Sequence, residues 1–346
     1  MSPKNFSVTN KTHKYLFNCL RDERVLKIYN QFERSFQCNH NFIVAVSGGP
    51  DSLALTFLTK IYSIRKSLKV KYFIIDHKLR KNSSSEAQSV KNFLKAKNID
   101  VGIIKWNGIK PKSNVQSLAR EKRYNLLVNQ AKKLNIKNIL TGHHWEDLYE
   151  NFFIRISRGS GLNGLVSFGE TSNKDKIKII RPLLNFEKKD LIYLTKNVFK
   201  KYVSDPSNKD DKFKRVRIRK LTKNLQTEGF DKKKFFLTIK NLKDSNETIN
   251  FYIQKNLKNN SFSNKKKNTV FLNVKFFNQP HEVVFRSFTE IIKKVGKKYY
   301  PTRGKKIDRI IQIIKNNSKS PVRLTLGNCV INKVNQSILV TKEQKI

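Results

Sequence analysis

One stretch of the sequence decides the fold: Phe42-Ile43-Val44-Ala45-Val46-Ser47-Gly48-Gly49-Pro50-Asp51-Ser52. Its first five residues are apolar and three of them are β-branched, which predicts a short buried strand. Two glycines and a proline then turn the chain, and apolar residues at helical spacing follow from Leu53. A strand, a tight turn and a helix start bring free backbone N–H groups and the positive end of a helix dipole to one point, which suits phosphate.

This loop differs from the two commoner phosphate-binding loops. A Walker A loop has Lys and Ser or Thr after its second glycine, and the dinucleotide fingerprint has a third glycine. The two glycines allow the backbone to approach a ligand closely, and the neighbouring polar side chains can cap the helix or hold the ligand. The alternative is an ordinary strand-to-helix turn with a serine N-cap, but a six-residue string directly after a strand favours a phosphate site. The predicted ligand-binding residues are Ser47, Gly48, Gly49, Pro50, Asp51 and Ser52.

The charge of the chain predicts a polyanionic partner. The 346 residues include 72 Lys and Arg against 26 Asp and Glu, a net charge of +46. Such an excess is typical of proteins that bind nucleic acid. Codon bias toward Lys, Asn and Ile is an alternative explanation; it accounts for Lys in place of Arg but not for the shortage of acids.

The cysteines and the apolar runs indicate the compartment. Cys19, Cys38 and Cys329 are few, odd in number and widely spaced, which argues against a disulfide framework, a zinc knuckle or a cluster site and suits a reducing cytosol. No apolar run is long enough for a signal peptide or a membrane span, so we expect a cytoplasmic protein with no membrane partner. The oligomeric state stays open, and an oligomer is compatible with the sequence.

Strands and helices alternate through the first two thirds of the chain. Strand-like runs are predicted at 42–46, 72–75, 101–106, 138–141 and 177–184, with helices near 51–66, 84–97, 114–134, 145–157 and 187–201. This alternation predicts an α/β fold with a parallel, doubly wound sheet, whose ligand lies at the carboxyl ends of the strands. We expect a lead-in at 1–40, a catalytic domain at 41–222 and a smaller, basic α+β region at 223–346. In that last region we expect most aromatic residues to be core, and an amphipathic helix at Ile307–Ile314.

A second group of polar residues follows the predicted fourth strand. His143, Asp147 and Glu150 stand at i, i+4 and i+7, so a helix places all three on one side. Carboxylates beside a phosphate site suit Mg²⁺ better than zinc, so Asp147 and Glu150 are candidate metal ligands. The alternative is that acids in a first helical turn only favour the helix dipole.

Arginines and small polar residues supply three further candidates. Arg120 and Arg123 share a helix face suited to phosphate, although a solvated face is an equal alternative. The run Arg158-Gly159-Ser160-Gly161 fits either an anion nest or a plain helix C-cap. Ser83 and Glu86 fit a capping box.

Taken together, these segments resemble the tRNA(Ile)-lysidine synthetase family of the ATP-pyrophosphatase (PP-loop) superfamily. The first loop resembles the superfamily, and the His-His helix with the later motifs resembles the family. The family helix usually has two adjacent acids followed by Gln, with Thr after the later Glu. This chain keeps the acids, as Glu146 and Asp147, but has Leu148 in place of the Gln and Asn151 in place of the Thr. The matching stretches are Ser47–Ser52, Asp76-His77 with Leu79-Arg80, Ala119-Arg120 with Arg123-Tyr124, His143–Glu150, Arg158–Gly161 with Gly164-Leu165, Arg181–Leu184, and Asp205–Asn208 followed by Arg215–Arg219.

The resemblance implies an ATP-dependent ligase acting on tRNA. It implies that ATP adenylates the C2 carbonyl oxygen of the wobble cytidine in the tRNA(Ile) whose anticodon is CAU, that the ε-amine of L-lysine then attacks C2 and displaces AMP, and that lysidine results. The loop 47–52 would hold ATP. Asp147 and Glu150, with His143 and Arg120 beside them, would bind Mg²⁺ or orient the lysine amine.

Three other functions fit the sequence less well. A tRNA-thiolating enzyme of the same superfamily would use cysteine, and none lies between Cys38 and Cys329. An amidotransferase-coupled synthetase would need a glutaminase domain, for which this chain has no room. A non-catalytic RNA-binding protein would not need a pyrophosphate loop together with an acid-bearing helix.

Overall fold

The computed structural model describes residues 10–78, 82–108, 115–203, 214–264, 268–297, 304–316 and 322–344. The chain forms two compact units, Met1–Phe230 and Asp231–Ile346. Within the described ranges, no helix combines the length and the apolar character needed to span a membrane. The predicted motifs Leu79-Arg80 and Asp205–Asn208 lie outside these ranges, as does the lysine run 265–267.

The first unit alternates helices and strands. Its helices are α1 (Asn10–Asn18), α2 (Glu23–Ser35), α3 (Pro50–Arg65), α4 (Ser83–Lys95), α5 (Val115–Lys133), α6 (Trp145–Ile156), α7 (Leu162–Val166), α8 (Lys188–Phe199) and α9 (Lys214–Thr227). Its strands are β1 (Phe42–Val46), β2 (Val70–Asp76), β3 (Val101–Lys105), β4 (Asn138–Leu140), β5 (Thr171–Lys174) and β6 (Ile177–Ile180).

These strands form one sheet in the order β3-β2-β1-β4-β6-β5 among the described residues. The first five strands of that order run parallel, with Phe42 of β1 opposite Val70 of β2 and Asn138 of β4. The predicted doubly wound α/β fold is therefore confirmed. The edge strand β5 was not predicted, because its residues Thr-Ser-Asn-Lys lack an apolar run. It pairs antiparallel with β6 through a two-residue turn, Asp175-Lys176, whose positive φ angles of 49° and 67° suit a hairpin.

Helix α3 begins within the predicted phosphate loop, residues 47–52, and is itself part of the core. Its residues are buried on nearly all sides, so it lacks the polar face of a surface helix. The buried hydroxyls of Thr56 and Thr59 donate to carbonyls four residues earlier, at 2.7 and 2.6 Å, so both hydroxyls have a hydrogen-bond partner. Thr195 of α8 donates to the carbonyl of Pro50 at 2.8 Å. The start of α3 is thereby fixed by the sheet on one side and α8 on the other.

The second unit is an antiparallel sheet covered by helices, which confirms the predicted α+β class. Its sheet order is β7-β8-β11-β10-β9 among the described residues. Its elements are α10 (Lys232–Asn260), β7 (Ser261–Asn264), β8 (Thr269–Asn273), α11 (His281–Val295), α12 (Gly304–Asn316), β9 (Val322–Leu326), β10 (Cys329–Val334) and β11 (Ser337–Lys342).

The core of the second unit lies between α11, α12 and one face of this sheet, and it includes Phe288, Ile311 and Ile338. The amphipathic helix expected at Ile307–Ile314 is part of α12, with its apolar face buried. The aromatic residues divide between core and surface. Phe235, Phe276 and Phe277 are buried, whereas Phe251, Tyr252 and Phe271 are exposed.

The loop glycine Gly48 should be irreplaceable for two separable reasons. Its φ is +78°, and an added Cβ would lie 2.6 Å from Cγ2 of the buried Val90. Gly229 has the same backbone strain, with φ at +79°, but an added Cβ there meets nothing within 4 Å. Gly229→Ala should therefore cost about 1 kcal/mol of unfolding free energy, and Gly48→Ala about 1–3 kcal/mol more from overpacking. Denaturant unfolding of both variants measures the difference, and equal losses would contradict the packing argument.

Candidate active site

The loop between β1 and α3 is closed by its own serines. The backbone N–H and the hydroxyl of Ser47 both donate to Oγ of Ser52 at 3.1 Å. The hydroxyl of Ser52 in turn donates to the carbonyl of Gly49 at 3.0 Å. Gly49 is the N-cap of α3 and Pro50 is its first residue. Because the first N–H groups of a helix have no intrahelical partner, they remain available to an anion at this turn.

The end of β4 passes directly beside this loop. A Cβ added at Gly142 would lie 3.0 Å from the carbonyl carbon and oxygen of Asp51 and 3.1 Å from Cα of Ser52. Only glycine permits that approach. Helix α6, which bears the predicted acids, starts three residues later, so the phosphate loop and the acid helix are held next to each other.

His144 connects the two parts of the site. Its side chain is only 2% exposed, and its Nε2 lies 3.7 Å from Oδ2 of Asp51 and 3.6 Å from Oδ2 of Asp147. Its backbone N–H donates to Oδ2 of Asp147 at 3.0 Å. One buried imidazole thus bridges a carboxylate of the phosphate loop and a carboxylate of the acid helix.

Asp147 remains an anion in this setting. Burial acts to raise the pKa of its carboxyl, but electrostatic interactions with the neighbouring His144 and His143, the hydrogen bond from the N–H of His144 and the charge of Arg215 together lower it to about 2. The carboxylate also caps α6 through the N–H of His144. It therefore has the helix-dipole role that the sequence offered as the alternative, and it still presents a negative charge to the site.

Glu150 is one of the most buried acids described, with 2% of its side chain exposed. Its Oε1 accepts a hydrogen bond from Nε of Arg219 on α9, whereas its Oε2 has no partner among the described residues. Burial raises the pKa of this carboxyl, and Arg219 opposes that rise only in part. The sequence placed Arg219 in a basic stretch but gave no sign that it pairs with Glu150.

His143 is held as a neutral imidazole of known tautomer. Burial lowers its pKa to about 3, and the charges of Arg120, Arg181 and Arg215 add to that shift against the opposing charge of Asp147. Nη2 of Arg120 lies 3.2 Å from Nε2 of His143, and guanidinium groups only donate, so Nε2 is the acceptor. Nδ1 therefore bears the proton and donates to Oγ1 of Thr141 at 2.8 Å. His143 thus orients Arg120 toward the site.

Polar residues after β2 form a second cluster. The buried Asp76 accepts hydrogen bonds from the hydroxyls of Ser83 at 2.9 Å and Ser84 at 2.5 Å. The predicted capping box is therefore wrong, because Ser83 is committed to Asp76 and Asn82 is the N-cap of α4. Nearby, Nε of Arg123 donates to Nε2 of His77 at 3.2 Å.

Arg181 and Phe168 complete the wall of the site behind His143. Arg181 is 5% exposed and donates to the carbonyl of Gly169 at 2.8 Å. Its guanidinium lies 4.6 Å from the ring centroid of Phe168, which itself meets the His143 ring edge-on at 5.3 Å. The sequence analysis included Arg181 only as part of a matching stretch, and no pattern in the sequence predicted a role for Phe168.

The glycine run after α6 is a helix C-cap. Gly159 has φ of +66°, its N–H donates to the carbonyl of Ile156 at 2.9 Å, and the N–H of Ser160 donates to that of Arg155 at 3.0 Å. This is the left-handed residue that commonly ends helices. Of the two interpretations left open by the sequence, the C-cap is the one that this geometry fits.

An aromatic cluster covers the outer side of the acid helix. The ring of Tyr149 lies 4.6 Å from that of Phe153 and 4.8 Å from that of Phe230, the last residue of the first unit. Such ring pairs contribute about 0.5–1.5 kcal/mol each beyond their buried area. The helix that positions Asp147 and Glu150 is thereby held from both sides, by the loop and by these rings.

The chemistry of the donor groups fits a hard cation only if a ligand completes its shell. Among the described residues, no group of three or more His, Cys, Asp or Glu side chains is placed to hold a metal. Two buried carboxylate oxygens, Oδ1 of Asp51 and Oε2 of Glu150, have no hydrogen-bond partner there. Mg²⁺ bound to nucleotides typically takes one or two carboxylates and fills the rest of its shell with phosphate and water oxygens.

Comparisons with known proteins place the chain in a family. A family model described as a PP-loop domain matches residues 10–225. A tRNA(Ile)-lysidine synthase of Wolbachia pipientis wMel is 31% identical over 326 residues, covering 93% of this chain and 75% of that protein. The Rickettsia felis protein of the same name is 32% identical, covering 86% of this chain and 69% of its own length.

Other relatives match over a shorter part. The tRNA(Ile)-lysidine synthase of Orientia tsutsugamushi is 38% identical over 191 residues, which is 55% of this chain and 43% of that protein. The chain spans about half the length of several such relatives, with 55% and 53% coverage in two further cases.

The fold is also that of a solved structure, a U34-tRNA thiolase from Methanococcus maripaludis. It superposes with a TM-score of 0.51 at 18% identity, covering 60% of this chain and 75% of that one. At that identity the likeness concerns the fold alone. Because the PP-loop match covers well over half of the chain and the Wolbachia relative aligns along nearly all of it, this protein belongs to the tRNA(Ile)-lysidine synthase family of PP-loop proteins.

Proposed function

We propose that this protein ligates L-lysine to C2 of the wobble cytidine in tRNA(Ile) with a CAU anticodon, consuming ATP and releasing pyrophosphate and AMP. The observation that supports this most directly is the bridge formed by His144 between Asp51 and Asp147. It holds a site for a nucleotide phosphate chain against a buried carboxylate that stays ionised. Activation by ATP and capture of an amine require those two sites side by side.

The first step is the activation of cytidine. Its C2 carbonyl oxygen attacks the α-phosphorus of ATP, and pyrophosphate leaves. The residues 47–52 would bind the leaving pyrophosphate through backbone N–H groups and the start of α3. Mg²⁺, which would be held by Asp147, Glu150 or both together with phosphate oxygens, would offset the charge that develops on the phosphates.

The second step is the attack of lysine. Its ε-amine attacks C2, a proton leaves the nitrogen, and AMP departs with the former carbonyl oxygen. Asp147, held ionised, would orient the lysine side chain by accepting a hydrogen bond from its amine. Glu150 would take up the proton, because its raised pKa makes it the better base and its Oε2 has no other partner among the described residues.

The cations around the site suit an RNA backbone. Lysine outnumbers arginine 55 to 17 in the chain, yet arginines surround the acid helix. They repel one another: the pKa of Arg155 is lowered by burial and by the charges of Arg158 and Arg120. A bound polyanion would relieve that repulsion. Arginine also binds phosphate through two parallel hydrogen bonds, which lysine cannot do, so codon bias does not account for this choice.

Thiolation of tRNA is the alternative reaction that the likeness in fold suggests. The solved thiolase shares the fold, but a thiolase chemistry on this chain would need cysteines at the site. Cys38 is buried and its thiol donates to the carbonyl of His40 at 3.4 Å, ahead of β1. Cys329 belongs to the second unit. Ligation of an amine is therefore the better-supported reaction.

The second unit would supply further contacts to the tRNA backbone. Lys232, Lys233 and Lys234 form the first turn of α10, where the helix dipole favours acids rather than cations. Three lysines at that end lower the stability of the free helix. A phosphate group bound there would interact with the lysines and with the dipole at once.

Replacing Asp147 should abolish ligation without unfolding the protein. Asp147→Asn keeps the acceptor for the N–H of His144 but removes the charge, so we expect a loss of roughly 100-fold or more in kcat. The measurement is incorporation of labelled lysine, with pyrophosphate release, on a tRNA(Ile) transcript bearing CAU.

Asp175→Asn is the matched control for that variant. Asp175 is half exposed at the turn before β6, its φ is 49°, and asparagine tolerates that conformation. It should keep full activity. Lysine incorporation that persists in Asp147→Asn, or pyrophosphate release in the absence of tRNA, would contradict the proposed reaction.

The neutral state of His143 predicts how stability depends on pH. Its pKa is about 3 in the folded protein and 6.5 when unfolded, so only the unfolded chain binds the proton between those values. Unfolding free energy should therefore fall as pH drops below 6.5, by up to about 1.4 kcal/mol per unit from this group. His143→Gln should flatten that slope in denaturant unfolding at pH 5–8, whereas the exposed His40→Gln should not. Equal slopes in all three proteins would show that His143 is not held neutral.

Neutralising the first turn of α10 should have opposite effects on stability and binding. With Lys232, Lys233 and Lys234 changed to Gln, tRNA affinity should fall and its dependence on salt should flatten, while the melting temperature stays equal or rises. The matched control changes Lys293, Lys294 and Lys297 to Gln. These lysines are exposed at or just after the C-terminal end of α11, where cations interact favourably with the helix dipole. That control should lose stability and retain more affinity. Equal losses of affinity would mean that total charge matters and this turn does not.

A further inference from the structure

The phosphate loop of this protein contains no cation of its own. A Walker A loop has a lysine that reaches the β- and γ-phosphates. Between Ser47 and Ser52 the one charged residue is an acid, Asp51. A pyrophosphate leaving group with several negative charges needs a cation as well as backbone N–H groups to stabilise it. Apart from the Mg²⁺ proposed above, such a cation has to come from an element outside the loop.

Lys188, the first residue of α8, reaches this loop. Its Nζ lies 3.3 Å from Oδ2 of Asp51, and 34% of its side chain is exposed. The element that bears it is fixed to the loop, since the buried Thr195 of the same helix donates to the carbonyl of Pro50 at 2.8 Å. The ammonium group is therefore positioned by packed structure and not by a free surface chain.

The neighbouring lysine shows that this placement is specific. Lys189 pairs with Glu187 at 2.7 Å, and 72% of its side chain is exposed. Lys188 instead passes over the acid next to it in sequence and pairs with Asp51, 137 residues away. Two adjacent lysines thus divide between the solvent and the phosphate loop.

We propose that Lys188 binds the β- and γ-phosphates of ATP and the pyrophosphate formed from them, taking the part that the loop's missing lysine would have. In the free protein it is paired with Asp51, which keeps the ammonium beside the loop and limits the repulsion of incoming phosphate by that carboxylate. This inference rests on the proposed ATP-cleaving function and assigns to it a residue outside the loop.

The test measures binding of inorganic pyrophosphate and of AMP to the full-length protein by calorimetry. Lys188→Met keeps most of the apolar stem and removes the charge. It should weaken pyrophosphate binding roughly tenfold or more, as expected for a lost charged hydrogen bond. AMP binding should stay unchanged, because AMP lacks the β- and γ-phosphates. Lys188→Arg should restore most of the affinity, and Lys189→Met should match the wild type.

A double-mutant cycle with Asp51→Asn separates phosphate binding from a role limited to the ion pair. If Lys188 touches phosphate, its replacement weakens pyrophosphate binding in the Asp51→Asn background as well. No further weakening in that background, equal affinities of Lys188→Met and Lys189→Met, or an equal loss of AMP binding would each overturn the inference. A wild-type protein that binds neither pyrophosphate nor ATP would instead overturn the proposed function, and this inference with it.

Discussion

The site depends on one close approach, that of Gly142 to the peptide of Asp51. No side chain fits between the end of β4 and the start of α3, where an added Cβ would lie 3.0 Å from backbone atoms. Neighbouring parallel strands bring their carboxyl ends to one edge, but that alone leaves several ångströms between successive loops. The missing side chain removes this gap. As a result, a single imidazole, His144, can touch carboxylates from both segments.

The fold could be predicted because its signals are local. The apolar runs of β1, β2 and β4 and the glycine-rich turn before α3 each specify their own element, and the alternation then leaves one fold class. The strand β5 could not be predicted, because a polar edge strand pairs through its backbone and needs no apolar residue. The exposed aromatics of the second unit, such as Phe251 and Tyr252, also differ from expectation. Composition gives the residue type but not the helix face on which it lies.

The site was predictable only in part, for a related reason. Ser47–Ser52 stand on one turn, and Asp147 and Glu150 stand on α6 at a spacing that places them on one helix face. His143, which was expected on the same face, instead precedes that helix, which begins at Trp145. Lys188 and Arg219 contact acids that lie far away in the sequence, at Asp51 and Glu150. Lys188 is separated from Asp51 by 137 residues, and no spacing rule spans that distance. The sequence can therefore nominate groups that act together within one element, whereas partners between elements are found only in the folded chain.

The packing of Phe230 against Tyr149 bears on how the first unit could be isolated as a fragment. Composition changes near residue 222, but α9 continues to Thr227 and the aromatic cover of the acid helix ends only at Phe230. A fragment ending at 222 would cut α9 short and expose the rings of Tyr149 and Phe153 to solvent. Ending the fragment at 222 would therefore loosen α6, the helix that bears Asp147 and Glu150. A fragment of the first unit should accordingly extend through residue 230, where that compact unit ends.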